Sequence, residues 1–227
     1  MTRRIVLLQA GLRNPSTTRM LAEELEREIK AAFEHEGYGA QTRIVDIRDH
    51  AHAIVDTFMT GFSGPELQDV LDAVIAADAL VVVTPTFSAS YSGLFKSFMD
   101  IVEPEALVGK PVVLAATGGS ERHSLMIDHA LRPLFAYLGA DPVRTGIFAA
   151  TGDFGGTDGQ LTARVRRAAR ELVGRVCGAG VVQAGSQDEG NGPAHKANGT
   201  PRLAPAKGFG DDVVPFEQMM SNLGVGR

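Results

Sequence analysis

Residues 79–96 read Ala79-Leu80-Val81-Val82-Val83-Thr84-Pro85-Thr86-Phe87-Ser88-Ala89-Ser90-Tyr91-Ser92-Gly93-Leu94-Phe95-Lys96. An unbroken apolar run ends on Thr84 and Pro85, and a short hydroxyl-rich stretch then leads into a helical pattern. A run without polar alternation suits a strand buried on both faces of a parallel sheet. Similar runs occur at residues 5–8 and 112–116, with a weaker one at 146–150. Between them the apolar residues recur with helical period. Leu21, Leu25, Ile29, Ala32 and Phe33 make one stripe; Leu67, Val70, Leu71, Val74 and Ile75 make another, with Pro65 at a plausible first helical position. A strand at 40–46, a helix from 92 to about 102 and a helix over 158–177 complete about five β-α repeats. This pattern predicts an α/β protein with a doubly wound, three-layer sandwich. A helix over 124–138 carries Pro133 inside the pattern of Leu131, Leu134, Phe135 and Leu138, so it should kink or restart there.

The 227 residues hold 27 acidic and 22 basic side chains, a net charge of −5, with 44% apolar residues. That mild acidity gives no footprint for nucleic acid or another polyanion. Cys177 is the single cysteine, which excludes an internal disulfide and a multi-cysteine metal or iron–sulfur site, and favours a reducing, cytoplasmic setting. The apolar run near the N-terminus is too short for a signal peptide or a membrane span. Composition shifts after Cys177: residues 178–210 contain eight glycines and three prolines among 33 residues, and read as a flexible linker. The expected organisation is a domain over 1–177, the linker over 178–210, and a short amphipathic segment over 211–227 built on Val213, Val214, Phe216, Met219, Met220 and Leu223.

Ligands of open parallel sheets bind beyond the carboxyl ends of the strands. The loop after the first strand, Ala10-Gly11-Leu12-Arg13-Asn14-Pro15-Ser16-Thr17-Thr18-Arg19, sets three hydroxyls and a cation at a helix N-terminus, a composition suited to an anion. One of those hydroxyls would also serve simply as an N-cap. After the third strand, Phe87 and Tyr91 sit among small hydroxylic residues that would let a flat ring lie against backbone; the alternative is that they plug the sheet end. After the fourth, Thr117-Gly118-Gly119-Ser120-Glu121-Arg122-His123 allows close backbone approach, or simply a tight turn. No Gly-x-Gly-x-x-Gly follows the first strand and no Gly-x-x-x-x-Gly-Lys-Ser/Thr occurs, so a dinucleotide Rossmann site and a P-loop are both disfavoured.

Taken together, a phosphate cradle, an aromatic-hydroxyl loop and a glycine loop on successive strand ends of a five-stranded parallel sheet of order 2-1-3-4-5 describe an FMN site. On the runs at 11–16, 84–96 and 118–123 the chain resembles the NADPH-dependent FMN reductase family of flavodoxin-like proteins, over about residues 3–175. It looks most similar to an actinobacterial branch with a linker and a terminal Pro-Phe-Glu-Gln motif, here Pro215 to Gln218, whose members are thought to supply reduced flavin to a luciferase-like monooxygenase. The resemblance implies FMN and NADPH as cofactors. It places Arg13, Ser16, Thr17 and Thr18 at the FMN phosphate, and Pro85, Thr86, Phe87, Tyr91, Ser92 and Gly93 along the ribityl chain and ring. Thr117, Gly118, Gly119 and Ser120 would meet the isoalloxazine. Gly11 stands where many relatives have a serine.

Flavin reduction needs stacked rings more than acid–base groups, so no catalytic side chain is assigned. His123 could meet the flavin edge or the nicotinamide nucleotide, or face solvent; Arg13, Arg19 and Arg122 are candidates for the NADPH 2′-phosphate. His50 and His52 read as a solvated loop rather than a metal site. Other readings of the chain are an FMN-containing quinone, azo-dye or metal-ion reductase and a flavodoxin-type electron carrier. Phe58, Met59 and Phe62, within residues 53–62, suggest a subunit interface, hence a homodimer or homotetramer.

Overall fold

The computed structural model describes residues 1–154 and 159–178; the expected terminal segment at 211–227 and all but the first residue of the expected linker lie outside them. Strand β1 (Thr2–Gln9) is followed by α1 (Thr17–His35), β2 (Gly39–Asp46), α2 (Ala51–Thr60), α3 (Pro65–Ala76) and β3 (Ala79–Phe87). Next come β4 (Ser90–Tyr91), α4 (Gly93–Ile101), β5 (Pro111–Gly118), α5 (Arg132–Tyr137), β6 (Asp141–Pro142), β7 (Ile147–Ala150) and α6 (Gln160–Gly178). The parallel sheet runs β2-β1-β3-β5, and β6 and β7 both pair with β5 as two pieces of the outermost strand. That is the order 2-1-3-4-5 expected of five strands.

The apolar runs lack alternation because the two faces of the sheet each carry a core. In β1, Ile5 and Leu7 face one cluster and Val6 and Leu8 the other; β3 splits in the same way, Val81 and Val83 against Leu80 and Val82. Successive side chains of a strand point to opposite faces, so a strand covered on both sides has no polar face to show. On one side α1 and α6 cover the sheet. Leu21, Leu25, Ile29 and Phe33 recur every four residues along α1 and are fully buried. Burying each contributes about 1.5–3 kcal/mol. On the other side lie α3, α4 and the segment around α5. Ile75 leaves the expected stripe and is half-exposed, because a step of roughly 100° from Val74 carries it past the edge of the buried face.

Pro133 restarts its helix. Residues 127–131 form a single π-turn, and α5 begins at Arg132 with Pro133 in its first turn. Proline has no N–H to give the carbonyl four residues earlier, and its ring crowds that carbonyl, so the wider turn absorbs the misfit. Gly146 passes so close to this turn that a Cβ there would lie 2.5 Å from Ile127 Cγ2.

His50 and His52 do not lie in the expected loop. Ile47–His50 is a 3₁₀ turn running into α2, which His52 enters as an exposed first-turn residue. Only Ile54 of α2 is fully buried, which is why the helical period was faint in the sequence. At the far edge of α3, Lys110 Nζ donates to the carbonyls of Val74 (2.6 Å) and Ile75 (2.8 Å), closing the helix C-terminus. Burial lowers its pKa from the ordinary lysine value.

Candidate functional site

The carboxyl ends of β1, β3, β5 and β7 open into one crevice of about 510 Å³, lined by Leu12, Arg13 and Pro15–Thr18 from the first loop, Pro85–Phe87 from the second, Thr117–Gly119 from the third, and Thr151. Apart from Arg13, no charged residue among those described lines it.

The first loop is shaped by one close approach. Gly11 N–H donates to Gln9 Oε1 at 2.8 Å, and a Cβ on Gly11 would stand 2.1 Å from Ser16 Oγ. The loop therefore folds Ser16 back over the backbone of residue 11, and a serine there would displace it. Ser16 is the N-cap of α1, accepting from Arg19 N–H at 3.2 Å. The first turn of α1 carries no acidic side chain, so the positive end of its dipole faces the crevice uncompensated. Thr17 is exposed at that end, whereas Thr18 is 2% exposed and shares a 2.9 Å hydrogen bond with Thr117 Oγ1. That bond ties the first loop to the third across the floor of the crevice. The two arginines part company: Arg13 lines the crevice with no ion pair among the described residues, while Arg19 pairs with Glu23 at 2.9 Å along α1.

The second loop is a hairpin. Thr86 pairs with Tyr91 and Phe87 with Ser90, and the two-residue turn holds Ser88 at φ 49° and Ala89 at φ 64°. Positive φ at both positions is what a type I′ hairpin turn requires, and non-glycine residues adopt it at a cost. Thr84, fully buried, anchors the base: its Oγ1 accepts from Ser92 N–H at 3.1 Å and donates to the Pro85 carbonyl at 3.1 Å. Ser92 in turn caps α4, accepting from Phe95 N–H at 3.2 Å. Tyr91 stacks obliquely on Phe95, with ring centroids 5.9 Å apart. The hairpin leaves Phe87 half-exposed on the crevice wall. It also leaves Thr86 Oγ1 buried with no hydrogen-bond partner among the described residues. Buried hydroxyls are rarely left without a partner, which makes this one a feature of the crevice to be explained.

In the third loop the two glycines have different tasks. A Cβ on Gly118 would lie 2.6 Å from Phe148 Cζ, so its freedom is spent on packing; Gly119 has open space about it. Thr151 Oγ1 lies 3.5 Å from the Gly118 carbonyl.

Of the residues expected at a cofactor, the structure brings together Arg13, Ser16, Thr17, Thr18, Pro85, Thr86, Phe87, Thr117, Gly118 and Gly119. Tyr91, Ser92, Gly93, Ser120 and His123 stand behind or beyond the lining, and His123 is exposed on a 3₁₀ turn. Sequence reading missed Leu12, Pro15 and Thr151. Thr151 follows the fifth apolar run, so the strand-end rule applied to that run would have found it.

The donor set suits a flavin mononucleotide: hydroxyls, a helix N-terminus and one guanidinium at one end, and an aromatic wall, an orphaned hydroxyl and open glycine backbone at the other. The model of the family described as NADPH-dependent FMN reductase matches residues 3–155, which contain every residue lining the crevice. Among curated proteins, FMN reductase (NADPH) of Pseudomonas aeruginosa is 36% identical over 173 residues, spanning 75% of this chain and 90% of its own. NADH-dependent FMN reductase SfnF of Pseudomonas putida is 40% identical over 151 residues, 66% of this chain and 79% of its own. Among solved structures, an oxidoreductase from Corynebacterium diphtheriae superposes with a TM-score of 0.76 at 40% identity, covering 78% of this chain and 98% of that one. Both the crevice and the extent of these matches lead to one placement: the chain belongs to the NADPH-dependent FMN reductase family.

Proposed function

We propose that the chain is an NAD(P)H-dependent FMN reductase whose crevice holds FMN with the phosphate at α1 and the ring between the second and third loops. The orphaned Thr86 hydroxyl in a crevice otherwise built of neutral hydroxyls and backbone is the observation that carries this reading. When bound, FMN supplies the ring that takes a hydride from NADPH. Arg13, Ser16 and Thr17 hold the phosphate, with Thr18 bracing the cradle through Thr117. Thr86 and Pro85 flank the ribityl chain and Phe87 one side of the ring. Gly119 lets the backbone lie against the ring edge. Tyr91, Ser92 and Gly93 fix the hairpin that presents Phe87, and Ser120 and His123 stand on the rim for the nicotinamide nucleotide.

The test is anaerobic stopped-flow mixing of protein carrying one equivalent of FMN with NADPH or NADH. Loss of oxidised flavin absorbance, faster with NADPH, is the expected result. Binding without reduction by either nucleotide would place the chain among electron carriers instead.

Two partners belong to this proposal. Val55, Phe58, Met59 and Phe62 are 50–82% exposed along and just past α2, an apolar face suited to a second copy of the chain in a homodimer or homotetramer. Sedimentation at dilute concentration checks it, and a 24.1 kDa species alone would refute it. The Pro215-Phe216-Glu217-Gln218 run supports membership of the actinobacterial branch and delivery of reduced FMN to a flavin-dependent monooxygenase. No helix among the described residues is long and apolar enough to cross a membrane, and the single cysteine supports a reducing, cytoplasmic setting.

A further inference from the structure

The contact between α1 and the sheet is apolar except in its last layer. The buried face of α1 is made by Leu21, Ala22, Leu25, Ile29 and Phe33, with Thr18 at its head. On β5, Val113 and Ala115 belong to the same buried cluster as that helix face, and alternation along the strand sends Thr117 to the same side. Where the two rows end, at the floor of the crevice, threonine meets threonine: Thr18 Oγ1 and Thr117 Oγ1 share a 2.9 Å hydrogen bond. The residues are 2% and 3% exposed, and both line the crevice. Two valines have the same shape and would fill this layer without taking hydroxyls out of water, so packing alone does not explain the pair.

The pair has one proton to spare. Two hydroxyls carry two protons, their mutual bond takes one, and neither oxygen is hydrogen-bonded to any other described residue. The remaining proton sits on whichever oxygen accepts the mutual bond, and either oxygen can be the donor. If Thr18 donates, the free proton is on Thr117, in the third loop. If Thr117 donates, it is on Thr18, in the first turn of α1. An anion at that helix end selects the second arrangement, because Thr18 can then donate to the anion while Thr117 donates to Thr18. Bonds that run in one direction polarise one another, and the Thr117 oxygen becomes a stronger acceptor for a donor on its other side.

We propose that the Thr18–Thr117 pair is a relay through which a phosphate at α1 strengthens the hold of the third loop on the rest of the flavin. The inference rests on the placement of the FMN phosphate at α1. No proton leaves either oxygen; only the direction of the two hydroxyls is set. FMN carries the anion that sets it, and the Thr117 oxygen then accepts from an N–H or O–H of the same ligand. Riboflavin lacks the anion and meets a Thr117 hydroxyl free to turn either way. The preference for FMN over riboflavin therefore exceeds what direct phosphate contacts supply, and part of it depends on a residue at the far side of the pair from the phosphate.

Fluorescence titration of the flavin-free full chain with FMN and riboflavin tests this, in the unaltered protein and in Thr117→Val, Thr117→Ser and Thr18→Val/Thr117→Val. In Thr117→Val the ratio of riboflavin to FMN dissociation constants should fall about fivefold, the lower end of couplings between sites. Thr117→Ser keeps the hydroxyl and should restore the ratio. The double valine variant keeps the shape of the layer and orphans no hydroxyl, so it should fold, and its ratio should fall at least as far as in Thr117→Val. An unchanged ratio in Thr117→Val, with both flavins weakened equally or not at all, would reduce the pair to a structural contact and overturn the relay while leaving the phosphate placement intact. A lowered ratio that Thr117→Ser does not restore would overturn it as well, since the hydroxyl would not be the group responsible. Failure of the unaltered protein to bind FMN more tightly than riboflavin would overturn the phosphate placement itself.

Discussion

Replacing Gly11 by alanine tests the cradle at its narrowest point. The new Cβ would stand 2.1 Å from Ser16 Oγ, 2.9 Å from Gln9 Oε1 and 3.1 Å from Thr18 Cβ. Backbone conformation is not at issue, since Gly11 is not among the positive-φ glycines. The cost is therefore steric and falls first on Ser16, whose hydroxyl must swing away and give up the Arg19 N–H. Losing an N-cap costs about 1 kcal/mol. Residual crowding against Gln9 and Thr18, both buried, adds about 1–2 kcal/mol by the usual measure of overpacking. The sum, about 2–3 kcal/mol, corresponds to a fall in melting temperature of roughly 4–12 °C for a chain of this size. Affinity for FMN should fall together with stability, because the displaced hydroxyl belongs to the proposed phosphate cradle. Calorimetry for stability and titration with FMN and riboflavin separate the two effects. Gly119→Ala is the matched control: its Cβ meets nothing within 4 Å, so stability should stay within about 0.5 kcal/mol, while FMN weakens if the ring lies against that backbone. An unchanged melting temperature and unchanged FMN affinity in Gly11→Ala would refute the account of the first loop.

Other consequences are equally direct. Thr18→Val strips Thr117, 3% exposed, of its partner and should cost about 1–3 kcal/mol; in the Thr18→Val/Thr117→Val pair, measured by denaturant unfolding, the losses should be less than additive, and strict additivity would show the bond to be idle. Hydrogen bonds from Lys30 and then Thr42 hold the Glu26 carboxyl below the usual glutamate range. A depressed folded-state pKa contributes stability above the unfolded-state value and loses it as pH falls through the folded one, so Glu26→Gln should flatten the acid limb of a stability-against-pH curve, and an unaltered limb would dismiss the effect. Among the described residues no carboxylate, imidazole, thiol or amine side chain lines the main crevice. Flavin reduction by NADPH should therefore be level from about pH 6 to 9 in kcat, and a bell-shaped kcat profile would require an acid or base from elsewhere.

The layers and strand order were legible because each strand of the sheet interior is covered on both faces, so its sequence is apolar throughout and cannot be taken for an exposed element. Helix α2 was not, since its single fully buried residue, Ile54, leaves no stripe to read. The short β4 was hidden for another reason: Ser88 and Ala89 are not the residues usually found where φ is positive, so the tight turn between Phe87 and Ser90 carries no glycine or asparagine signal. Within the site, residue type identified the loops but not which hydroxyl does what. Ser16, Thr17 and Thr18 are equivalent on paper. Only the packing of Thr18 against Thr117 assigns one to the cap, one to the open mouth and one to the floor.

A crevice whose lining, among the described residues, offers no carboxylate, imidazole, thiol or amine depends on a rigid frame to act on a bound ring. When the reacting rings supply the chemistry, the protein's contribution is orientation, and orientation is lost through any soft connection between the loops. Here the loops are locked by buried polar bonds rather than by apolar contact alone: the first to the third through Thr18 and Thr117, and the second to α4 through Thr84 and Ser92; Thr151 adds only an exposed 3.5 Å contact to the Gly118 carbonyl. Apolar packing resists separation but tolerates sliding, whereas a buried hydrogen bond fixes direction and is costly to leave unmade. Hydroxyls therefore do two jobs in this crevice, and the unpaired one, Thr86, stands out because all the buried hydroxyls around it are already bonded to protein.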